Sequence, residues 1–156
     1  MSQASDLVTQ LETSLKYMKS TISIFEEADA GFAPQPELYT VAGHIAHAAD
    51  SVEWFVEGAF GEGWNMDFEG LIAAARAVES LEEANAWLER AFAKAIAVFA
   101  SASDEDLKAT ITDDRIMPGA PRYAVVGPIV DHTAHHRGAL TVYARLLRKV
   151  SPMPYS

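Results

Sequence analysis

The chain has 156 residues, 49% of them hydrophobic, enough for one domain over 1–156 that buries about two thirds of the surface its unfolded form would expose. It contains no cysteine, so disulfides and thiolate metal sites are excluded, and any metal must be held by imidazole, carboxylate and water. With 22 acidic against 12 basic side chains and a net charge of −10, the surface repels phosphate backbones and anionic headgroups, which argues against a nucleic-acid partner.

The opening residues, Met1 to Asp6, lack the basic region and apolar core of a secretory signal, and a cytoplasmic protein is expected. The apolar run Ala91 to Ala100 is interrupted by Lys94, and nothing approaches the roughly 20 apolar residues of a membrane span. Ser5 is a candidate cap for a first helix, in which Leu7, Leu11, Leu15, Met18, Ile22 and Phe25 recur at spacings of three and four. This helix is expected to run to about Asp29, where Ala30-Gly31, Pro34 and Pro36 stop it. Thr40 is the next cap; Val41, Ile45, Ala48, Val52 and Phe55 form the stripe of a second helix ending near Gly58 to Gly63. A short extra helix is predicted over Asp67 to Val78.

Ser80 and Glu83 have the spacing of a capping box at the start of a third long helix, whose stripe is Leu81, Ala84, Leu88, Ala91, Ala95 and Val98. It ends in the polar segment Ser101 to Asp104. Residues 105–121, carrying Pro118, Gly119 and Pro121, read as a long irregular connection with an extended piece around Thr110 to Thr112. A fourth helix starts between Arg122 and Pro128 and continues to about Val150, before Pro152 and Pro154. Its inward stripe is Ile129, His132, His136, Leu140, Tyr143 and Leu147. Four amphipathic helices and little else make an all-α four-helix bundle.

All five histidines fall in two windows, His44 and His47 in the second helix and His132, His135 and His136 in the fourth. Residues four apart on a helix have Cβ atoms roughly 5–6 Å apart, so His132 and His136 can aim at one point. Both lie on the apolar stripe, where an imidazole without a partner costs about 1–3 kcal/mol. A carbonyl or a buried water could satisfy each, but two on one stripe point to a ligand pair. His135 is turned about 100° from His136 and is a surface residue or one that braces a ligand. His44 and His47 are about 60° apart, and spacing does not choose between them. A third imidazole from the second helix would complete a site with open positions, the pattern of catalytic rather than structural metals.

His47-Ala-Ala-Asp50-Ser51 with Trp54-Phe55, and Asp131-His132-Thr-Ala-His135-His136-Arg137-Gly138-Ala139-Leu140, resemble the two histidine motifs of the DinB/YfiT-like superfamily. The resemblance covers nearly the whole chain. It implies an up-down-down-up bundle, homodimers, and a divalent ion such as zinc or nickel held by His47, His132 and His136. His44 and His135 are then extra. Glutamine is common in the family where Ala139 stands here. Characterised relatives include thiol S-transferases using bacillithiol or mycothiol and a thiol-dependent maleylpyruvate isomerase, so the resemblance limits the site more than the substrate.

The expected function is a metal-dependent enzyme acting on a small molecule, of thiol S-transferase or hydrolase type. A low-molecular-weight thiol would serve as cofactor, and the ion would lower the pKa of a bound water or thiol. Asp50, one turn beyond His47, can orient a ligand histidine or accept a proton, or it is a solvated helix carboxylate. Trp54 can wall the pocket, although as a core aromatic it needs no function. Arg137 can meet an anionic substrate or thiol carboxylate, or simply pair with surface acids, and Tyr143 reads as core. The alternative from another class is a non-catalytic metal-binding or dimeric scaffold protein.

Overall fold

Helix α1 (Gln3–Ile22) is capped by Ser2, not Ser5: the Ser2 hydroxyl accepts the Ser5 amide at 3.3 Å, which puts Ser5 inside the first turn. In this computed structural model, which describes residues 2–156, α1 also ends seven residues before Asp29. Phe25 turns into the core there, and a 3-10 turn over Glu27–Asp29 starts afresh with its own cap, the Glu26 amide donating to Asp29 at 2.8 Å. Helix α2 (Val41–Phe60) opens as expected, with Thr40 accepting the Gly43 amide at 2.9 Å. The short helix α3 (Phe68–Arg76) is capped by Asp67.

At the start of α4 (Leu81–Ser101) the Ser80 hydroxyl accepts the Glu83 amide at 3.1 Å, but the reciprocal half of the capping box is not made. The Glu27 carboxylate, from the 3-10 turn between α1 and α2, instead takes the Leu81 and Glu82 amides, at 2.8 and 3.3 Å. A carboxylate at a helix N-terminus satisfies orphan amides and opposes the helix dipole, so a long-range contact supplies what the local motif does not. The stretch expected to be irregular contains helix α5 (Asp104–Lys108), opened by a capping box between Ser103 and Asp106, with aspartate in the position usual for glutamate. Thr110 and Pro121 then form an isolated antiparallel bridge. A 3-10 turn, Arg122–Val125, leads into α6 (Val126–Leu146), which stops short of Val150 because Arg148 takes a positive φ of 61° and breaks the helical path.

Helix α2 packs on α4 and α6, and α1 packs on the same two, so α1 and α2 occupy opposite corners of the bundle. Trp87 meets Glu53 and Phe99 meets Phe60, so α2 and α4 run in the same direction. His44 meets Tyr143 while His47 meets His132, so α6 runs against α2. The shared core holds Leu11, Met18, Ile45, Leu88, Phe92, Phe99, Ile129 and Leu140, all essentially inaccessible, each worth about 1.5–3 kcal/mol of burial. Among the described residues no strand forms, and no helix is long and apolar enough to cross a membrane.

The connection after α2 is pinned by Trp64, which lies flat on Gly58 and donates its backbone amide and indole N–H to Asp113 at 2.9 and 2.8 Å. A Cβ on Gly58 would overlap the Trp64 ring, whereas one on Gly31 would meet nothing. In urea titrations Gly58→Ala is expected to lose about 1–3 kcal/mol through overpacking. Gly31→Ala should stay within about 0.5 kcal/mol of wild type. Equal effects at the two positions would contradict this packing.

Candidate metal centre

Because α2 and α6 run antiparallel, the histidines of the two helices meet in register. His47, His132 and His136 each offer a ring nitrogen, and these atoms lie within 4.8 Å of one another. The Nε2 atoms of His132 and His136 are 3.2 Å apart, and the His47 ring centroid lies 5.1 and 4.9 Å from those of His132 and His136. His136 is buried and the other two are half-buried. The buried Nδ1 atoms of His47 and His132 have no hydrogen-bond partner. Three neutral imidazoles and no thiolate suit zinc, nickel or copper rather than magnesium or calcium, and three protein ligands leave positions open, so these residues fit a divalent ion.

His44, left as extra on sequence grounds, is built into the site. Its Nδ1 lies 2.8 Å from His136 Nδ1, its Nε2 lies 3.2 Å from the Tyr143 hydroxyl, and that hydroxyl donates to the Tyr39 carbonyl at 2.9 Å. Tyr143 is buried, yet its polar end works. Tyr39 also stacks on His47, ring centroids 5.0 Å apart and 18° from parallel, and the Arg76 guanidinium sits 4.7 Å from the Tyr39 ring centre. One signal for this group was in the sequence: Tyr143 lies seven residues after His136, on the same face of the helix. His135 is exposed, as its angle predicted.

Beside His47 and His132, a cavity of about 240 Å³ opens between α2 and α3, walled by Trp54, Phe55, Phe68 and Leu71, with Asp50 facing it. Trp54 is held by its indole N–H, which donates to the Asn65 carbonyl at 2.7 Å, and by the Trp64 ring 4.6 Å away. Asp50 makes no hydrogen bond to any of these histidines. Burial, followed by the Glu53 charge, pushes its carboxyl up to about 6. Arg137 is not brought to this cavity. One residue beyond His136 it is swung round to the α1 side, 5.9 Å over the Tyr17 ring, in a separate groove of about 330 Å³ that contains no histidine.

The DinB superfamily's sequence model matches residues 10–140. Among solved structures, a conserved protein from Enterococcus faecalis superposes with a TM-score of 0.69 at 16% identity, covering 93% of this chain and 96% of the other. That likeness establishes a shared all-α fold. No curated protein matches the chain.

Burial, with repulsion from neighbouring imidazoles, lowers His44 and His132 to about 4 and His136 to about 2, and also lowers His47. At neutral pH these rings are uncharged and keep their lone pairs. In the unfolded chain they take up protons below about 6.5, so between about 6.5 and 4 the unfolded state binds more protons and stability falls with falling pH. Asp50 acts oppositely: between 3.8 and about 6 its folded carboxyl holds a proton that the unfolded one has lost, which offsets one of the four rings. The urea midpoint of metal-free protein should therefore be nearly flat above pH 7 and drop on acidification toward pH 4. A midpoint that rose on acidification would refute this balance.

Proposed function

Since the chain belongs to the DinB superfamily, we propose that it is a metal-dependent enzyme acting on a small organic molecule, of thiol S-transferase or hydrolase type. The observation that carries this reading is the convergence of three imidazoles, two of which, His47 and His132, line an apolar cavity that an acid of raised pKa also faces. His47, His132 and His136 would hold the ion, with zinc or nickel matching the neutral nitrogen donors. When bound there, the ion supplies Lewis acidity that lowers the pKa of a coordinated water or thiol.

The chain's own residues would do the rest. Asp50, with a pKa near 6, is mostly ionised above neutral pH, yet basic enough to take the proton released by the nucleophile. Trp54, Phe55 and Phe68 would bind the apolar part of the substrate and exclude water around the reacting centre. The sequence supplies no cysteine, so in the transferase version the thiol arrives as a separate small molecule.

Elemental analysis of untagged protein is expected to find close to one divalent ion per chain. That ion should be absent from a His132→Ala, His136→Ala double mutant whose far-ultraviolet dichroism stays helical. Failure to take up zinc, nickel or manganese on reconstitution would sink the proposal. With a chromogenic electrophile and a panel of small thiols, or a chromogenic ester, Asp50→Asn should lower kcat by about 100-fold or more at unchanged metal content. It should also remove an acid limb near pH 6 from the kcat/KM profile.

A further inference from the structure

Hydrogen-bond donors and acceptors around His44 can be assigned from one end. The Tyr39 carbonyl can only accept, so the single hydroxyl proton of Tyr143 points to it across 2.9 Å. That leaves the Tyr143 oxygen to accept from His44 Nε2, 3.2 Å away, and so His44 carries its proton on Nε2. The His44 ring is buried, has only Tyr143 and His136 as hydrogen-bond partners, and touches no carboxylate, so it is neutral and its Nδ1 is a bare acceptor. Across the 2.8 Å contact His136 Nδ1 must then donate, and a neutral ring protonated on Nδ1 has its lone pair on Nε2.

Reversing the direction leaves a carbonyl oxygen facing a phenol oxygen with no proton between them, and turns the N–H of His136 Nε2 toward His132. His132 Nε2 can donate across 3.2 Å to His136 Nε2, which leaves the bare nitrogen of His132 at Nδ1, the atom found buried without a partner. Resting on the reading of the three-histidine group as a cation site, we infer that His44 and Tyr143 are positioning residues. Together with the Tyr39 carbonyl they form a one-way relay that holds the His136 Nε2 lone pair toward the site before any ion arrives.

Tyr39 links this relay to the rest of the site, since its carbonyl ends the chain while its ring stacks on His47. Arg76 of α3 fixes the same segment by donating to the Glu37 and Leu38 carbonyls at 2.6 and 3.4 Å. The cavity wall and two of the three candidate ligands are thus referenced to one short stretch of backbone.

The test uses metal-free full-length protein and nitrogen-15 NMR of the histidine rings, followed by zinc affinity from competition with a chromogenic chelator. In wild type, His136 is expected as the single tautomer protonated on Nδ1, and His44 as the tautomer protonated on Nε2. Tyr143→Phe and His44→Leu should each give mixed tautomers at His136 and weaken zinc by about 10- to 100-fold, the usual scale for partners of metal-bound histidines. His44→Gln keeps an acceptor for His136 and a donor for Tyr143, and should restore most of the affinity lost in His44→Leu at a comparable melting temperature. His136 protonated on Nε2 in the wild type, or zinc affinities of Tyr143→Phe and His44→Leu equal to wild type, would overturn the relay. Wild-type protein with the expected tautomers but no zinc uptake would overturn the cation-site reading alone, because the tautomers are read without metal.

Discussion

Everything at the site follows from placing four imidazoles between two antiparallel helices in a largely apolar core. A buried polar ring must find a partner or it subtracts from stability. His44 and His136 solve this with each other and pass the remaining requirement through Tyr143 to a backbone carbonyl at the start of α2. His47 and His132 are each left with one buried nitrogen that no protein atom meets. The two kinds of ring divide the labour: one pair is joined in a network that ends on a backbone carbonyl, and the two rings with an unpaired nitrogen belong to residues that line the cavity.

The same burial sets the electrostatics. The rings stay neutral because the interior penalises their charged forms, and the Asp50 carboxyl is pushed toward neutrality by the same penalty. A strongly acidic chain thereby keeps an uncharged nitrogen-donor cluster inside it. One side of the cavity is made by α3, a nine-residue helix too short to be stable alone, which rests on α2 and is tied down by Arg76 and by the Trp64 to Asp113 anchor on either side. The acid of raised pKa and the aromatic wall are therefore consequences of how the connection between α2 and α4 folds back.

Helix identity and approximate extent were legible because apolar side chains at spacings of three and four mark a buried stripe wherever that stripe ends up packing. Helix ends are set by contacts that this periodicity does not carry. Phe25 continues the α1 stripe numerically while leaving the helix, and the one-turn α5 lies in a stretch that Pro118, Gly119 and Pro121 mark as irregular, too short to show a periodic stripe of its own. The unmade half of the box at Ser80 was invisible locally, since Glu27, more than fifty residues earlier, takes its role.

Local chain chemistry by itself determined that four long amphipathic helices form, that His132 and His136 share a face, and that His135 does not. These depend only on a 3.6-residue period and on burial. Tertiary structure alone decided which histidine of α2 joins them and what the other does. The angular positions of His44 and His47 are nearly equivalent on their own helix, and only the antiparallel register against α6 sets His47 beside His132 and His44 beside Tyr143. It likewise decided that Arg137 faces α1 while Trp54 and Asp50 face the cavity, because the partner of a helix face is a property of the packed bundle and is written in no single segment.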